Sequence, residues 1–199
     1  MREGGLVPTF RPVSPPLPVP GARATLLLSL TMSFVGVSGA VQSYAMVTAT
    51  GAEFAPLTAD EEVAPWNQFA VATLSDPLMK AVQVGNLLAS ALLIIASVSL
   101  TSRRHTALWW TRQALAANAL YTLADAATTI HFATSHPGLI ERIFPHNGLV
   151  DPPMMLIFGA AKSFTAALAL AFYALLYRAS RRADIKAFVR KAPSEGGEA

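Results

Sequence analysis

Cysteine is absent from all 199 residues, so disulfide frameworks, thiolate nucleophiles, cysteine-ligated zinc and iron–sulfur clusters are excluded together. Charge is scarce as well. Only 14% of residues are charged against 53% hydrophobic, a balance that belongs to a polytopic membrane protein rather than a soluble domain. No Walker, GxGxxG or GxSxG pattern occurs, which removes the phosphate-cradling loop and the serine elbow as starting points, and no internal repeat is present. Histidine occurs four times and never as HExxH. His131, His136 and His146 fall near one end of two apolar segments with Asp151 close by, but their spacing matches no known ligand pattern and assigns no metal. His105 falls at the opposite end, so it cannot share a haem with His131, and no cofactor is expected.

What is present is four apolar runs, at about 24–49, 78–100, 107–133 and 154–177. Each exceeds the ~20 residues needed to cross a bilayer as a helix. The expected fold is an all-α integral membrane protein, an antiparallel bundle of four transmembrane helices. Before it, residues 1–23 hold six prolines between Pro8 and Pro20 and predict an extended, disordered tail. Ser38-Gly39-Ala40 resembles a signal-peptidase site, which leaves a cleaved first segment as the alternative to a retained span. Thr50 to Pro77 reads as an acidic polar loop containing Glu53, Asp60, Glu61 and Glu62. Within the 178–199 tail, residues 178–191 carry six basic side chains and one acid, Asp184. Ile185, Phe188 and Val189 share one side of this stretch, predicting a short interfacial helix followed by a disordered end.

The charges set an orientation. Twelve of the 15 Lys and Arg residues lie in the N-terminal tail, the 101–106 turn, the start of the third run and the C-terminal tail, all on one side of four spans. The positive-inside rule puts both termini in the cytoplasm, most simply of a bacterial inner membrane. The basic residues thus read as a topology signal, and no nucleic-acid partner is expected. The bilayer is the expected partner. Small-residue seams, Ser29-Ser33-Gly36-Ala40 and Gly159-Ser163-Ala167-Ala171, would serve internal packing, a homo-oligomer or another membrane protein equally well.

The third run departs from an ordinary span. Thr111, Asn118, Thr122, Asp125 and Thr129 form a narrow polar stripe on a helical wheel, and such a stripe must face other helices or a water-filled cavity. At 1.5 Å per residue, Asp125 lies roughly 7 Å and Lys162 about 5 Å to the outer side of the midplane. Gln42, Gln83 and Asn86 fall in the same half, so each span brings a polar group to one layer. An unpaired charge there costs about 2.5–3.5 kcal/mol or more, so Asp125 is expected to pair with Lys162. Three readings of the layer follow: glue that fixes helix register, a cavity for a small polar molecule or amphiphile, and a short proton or ion path. No catalytic residue is assigned on this reading. The function expected is that of a non-enzymatic complex subunit or small-ligand-binding module.

Pro145-His146-Asn147-Gly148-Leu149, ahead of the fourth run, resembles the corresponding loop of the anthrone-oxygenase-like group, whose members have four spans in about this length. The resemblance covers these five residues and the overall layout. It implies cofactor-independent oxidation, and here the alternative function would be a small membrane enzyme using Asp125 as acid or base. The aromatic–histidine–arginine pattern of that group's last span is missing, Lys162 being the one basic residue within the fourth run.

Overall fold

The computed structural model describes residues 21–49, 64–139 and 154–190. The proline-rich tail up to Pro20, the acids at 53 and 60–62, the loop with His146 and the 145–149 resemblance, and the C-terminal end from 191 lie outside them. Among the described residues the chain is helical, without strands. In order the helices are α1 (Ala22–Thr48), α2 (Ala64–Ser75), α3 (Pro77–Thr101), α4 (Ala107–Ser135), α5 (Met154–Ser180) and α6 (Ala183–Arg190).

Among the described residues three helices are long and apolar enough to cross a membrane: α1, α3 and Leu156–Ser180 of α5. The chain is therefore an integral membrane protein whose apolar helices meet lipid. Helix α4 has 29 residues, and at 1.5 Å each it is roughly 43 Å long, so length is no obstacle. It is missing from the apolar set because its polar stripe interrupts the hydrophobic run. The stretch read as a loop before Pro77 in fact contains α2. It ends at Asp76, whose carboxylate accepts the Met79 amide at 2.8 Å and caps α3, with Pro77 in the first turn where its missing N–H costs nothing.

Helix α1 packs on α3, α3 on α4, and α4 on α5, whereas α1 and α5 meet at only a few points. The result is an arc rather than a closed ring. The α1–α3 contact is close because its residues are small. A Cβ on Gly36 would stand 2.9 Å from the Ser90 carbonyl oxygen. Two helical turns away, Ser29 and Ser97 exchange hydrogen bonds reciprocally, each hydroxyl reaching the other's carbonyl at 2.9–3.0 Å. The first small-residue seam is thus spent inside the chain. On the second seam Ser163, Ala167 and Ala171 are exposed and touch no described neighbour closely enough to be covered.

The hydrophobic core sits at the basic end: Leu28, Met32, Leu93, Leu100, Ala107 and Leu115 with Ile185 and Val189 of α6. The apolar side of α6, Ile185, Phe188 and Val189, is buried against the rest of the protein. The docking needs two unusual backbone positions. Gly21 (φ 86°) lets α6 approach so closely that a Cβ there would overlap the Asp184 carbonyl. After α3, the amides of Arg103 and Arg104 bond to the carbonyls of Leu100 and Ser99 at 3.2 and 3.1 Å, a Schellman ending. Its left-handed position is Arg103 (φ 49°) where glycine is usual. The Arg103 guanidinium lies 3.9 Å above the Phe188 ring, a cation–π contact that offsets the strain.

Candidate functional site

The other half of the molecule is organised around Asp125 of α4 and Lys162 of α5. Lys162 Nζ donates to Asp125 Oδ2 at 2.6 Å, and the two side chains remain 28% and 20% exposed for Lys162 and Asp125 respectively. Helices α4 and α5 are packed neighbours, so i to i+4 geometry along α4 also brings Tyr121 and Thr129 to the same face.

Two chambers meet at the pair. A smaller one of about 190 Å³ is lined by Gln42 and Met46 of α1, Thr73 and Leu74 of α2, Met79, Lys80 and Gln83 of α3, Tyr121 and Thr129. A larger one of about 420 Å³ runs between α1 and α5, where Phe34, Val35, Ala166, Ala169 and Tyr173 contribute much of the wall. Gln42, Tyr121, Asp125 and Lys162 line both. Helix α2 closes the smaller chamber on one side, and Phe69 holds it there through edge contacts with Phe132 (5.7 Å) and Phe158 (6.3 Å).

The polar residues singled out from the sequence divide into two sets. Asn118 is 2% exposed and donates to the carbonyls of Ala89 and Ala114, both at 2.8 Å, so its amide protons serve to join α3 to α4. Thr122 donates to the Asn118 carbonyl at 2.9 Å. Asn86, also buried, donates to Ser43 Oγ at 2.6 Å, and that hydroxyl in turn donates to Gln83 Oε1 at 3.3 Å, tying α1 to α3. Gln42, by contrast, is exposed in both chambers alongside the ion pair.

Several participants escaped the sequence reading. The Tyr121 phenol faces the Gln83 amide and the Asp125 carboxylate. Tyr173 faces Thr122. Tyr121 lies four residues before Asp125, a spacing that could have drawn attention to it. Ser43, Ser90 and Lys80 carried no comparable signal. His131 and His136 are both exposed, with His136 stacked on Phe132 at 4.5 Å, and among the described residues no group of three His, Asp or Glu side chains could hold a metal ion.

Comparison with protein-family models, curated proteins and solved structures found no match for the chain. The site must be read from its own chemistry. It offers one cation and one anion already engaged with each other, a second cation in Lys80, hydroxyl and amide groups from the five helices α1 to α5, and space on either side.

Proposed function

We propose that the chain is a four-span membrane protein, α4 included, that binds a small molecule bearing a polar group in the chambers around Asp125 and Lys162. The observation that carries this reading is the partial exposure of the ion pair. Register-fixing glue in this protein looks like Asn118, sealed by packing and satisfied by backbone. The pair is instead a quarter exposed and borders two chambers. Polar groups that converge on a pocket of this kind are the usual makings of a ligand site.

Support for α4 as a span comes from the way its stripe is turned. Thr111 and Asn118 are buried and Asp125 faces the chambers, while Leu120 and Leu123 point outward. Arg23, Arg103, Arg104, Arg178, Arg181, Arg182, Lys186 and Arg190 belong to the end with the 102–106 turn and α6, which favours that end as cytoplasmic. The natural lack of cysteine makes the topology easy to test. Single substitutions Ser102→Cys and Ser135→Cys should label with a membrane-impermeant maleimide from opposite sides; labelling from one side would refute four spans.

Ligand binding is tested by native mass spectrometry of protein released from nanodiscs made directly from cell membranes, with an absorption spectrum of the same sample. An adduct that is present on the wild type and lost from Lys162→Met is expected. A bare 21.1 kDa chain from every preparation would sink the proposal. The enzyme reading with Asp125 as acid or base draws on the same exposure. It is the weaker of the two, because Lys162 already occupies one carboxylate oxygen at 2.6 Å.

A further inference from the structure

Resting on that reading of the site, we infer that its ligand is a single-chain amphiphile with one negative charge, a carboxylate. The head would sit in the smaller chamber between Lys80 and Lys162, and the chain in the larger one.

The argument is a charge inventory. Every helix that lines the smaller chamber has been considered. Helix α1 brings Gln42 and Met46, α2 brings Thr73 and Leu74, α4 brings Tyr121, Asp125 and Thr129, and none of these is basic. The full charges are Lys80, Lys162 and Asp125, one cation in excess. Asp125 answers Lys162 at 2.6 Å. Lys80 has no acidic partner among the described residues. Asp76, one turn before it, spends its carboxylate on the Met79 amide as the cap of α3. Lys80 is an exposed side chain that water solvates in the chamber, and a cationic head would add a like charge beside it. An anion pairs with Lys80, and also finds the Thr129 hydroxyl as a donor.

The chain has somewhere to go. The larger chamber shares Gln42, Tyr121, Asp125 and Lys162 with the smaller, is walled mainly by apolar surface, and lies on the side where α1 and α5 leave the arc open. A hydrocarbon tail dissolved in the bilayer can enter there without crossing water.

The test uses the full-length protein in nanodiscs of zwitterionic lipid, with three probes of equal chain length: dodecanoate, dodecanol and dodecyltrimethylammonium. Bound probe is counted by native mass spectrometry. Dodecanoate should be retained about tenfold better than either competitor, the value of one charge-assisted hydrogen bond. Lys80→Gln should bring dodecanoate down to the level of dodecanol, and Lys80→Arg should keep the preference. Equal retention of dodecanol, or a preference that survives Lys80→Gln, overturns the anionic head while leaving a ligand site standing. Retention of dodecyltrimethylammonium above dodecanoate reverses the sign of the argument. Failure of all three probes to bind overturns the ligand reading as well.

Discussion

Breaking the Asp125–Lys162 pair from one side should cost more stability than removing it altogether. Two unit charges about 4 Å apart attract by roughly 4 kcal/mol at an effective dielectric of ~20. The side chains are 28% and 20% exposed, so water screens part of this, and about 2–3 kcal/mol is a reasonable remainder. Holding each ion in a half-dry chamber costs about 1 kcal/mol, well below the penalty of full burial. Asp125→Asn or Lys162→Met alone then loses the attraction and recovers one desolvation cost, a net loss of about 1–2 kcal/mol. The double variant recovers both costs and loses about 1 kcal/mol or less, a coupling of about 2–3 kcal/mol. Reversible unfolding of the four proteins in mixed micelles, followed by far-UV circular dichroism, gives the cycle. Losses that simply add, so that the double variant is the worst of the four, would show that the two charges do not stabilise each other.

Three further outcomes follow from the packing. Gly36→Ala places a methyl 2.9 Å from the Ser90 carbonyl oxygen and should destabilise by about 1–3 kcal/mol in the same unfolding assay; a neutral effect would mean that α1 and α3 are not in close contact there. Ser97→Ala removes the reciprocal pair with Ser29 and should cost about 0.6–1.7 kcal/mol, with Ser29→Ala adding little more once Ser97 is gone. Hydrogen bonds from Arg182 lower the Asp184 carboxyl below its ordinary value of 3.8. A depressed folded value means that this contribution is complete above the ordinary carboxylate value and is lost as pH falls through the lowered one. Thermal stability measured against pH should therefore fall in that acid window in the wild type more than in Asp184→Asn, and identical profiles would exclude the linkage.

The helices themselves were legible because long apolar runs have few alternatives. Their ends were legible where chemistry marks them, as at Asp76-Pro77. The short α2 was missed because the acids at 53–62 set the character of the whole Thr50–Pro77 stretch. The apolar Phe69, Val71 and Leu74 behind them were too few to show a period. The two small-residue seams looked alike in the sequence, yet Gly36 touches α3 while Ser163 and Ala167 face outward. Nothing local distinguishes them, since the choice depends on which helices become neighbours. The same holds for the polar layer. Asn118 and Asp125 lie two turns apart on one stripe, but one is sealed against α3 and the other borders open space. The sequence places both on one stripe, and only the arc of helices separates their roles.

Helix α6 has a consequence for the order in which the molecule comes together. Its Ile185 and Val189 belong to the same core as Leu28 and Met32, and its backbone rests on Gly21. The last of the described helices to be synthesised therefore completes the surroundings of α1. Until residue 190 is free of the ribosome, Leu28 and Met32 lack part of their cover, and the strained Arg103 turn lacks the ring that steadies it. A chain that stops after Ser180 would keep every membrane-crossing stretch and every side chain around the chambers. It would still begin life with its first helix unanchored, so the cell would meet it as an unfinished protein rather than a shorter one.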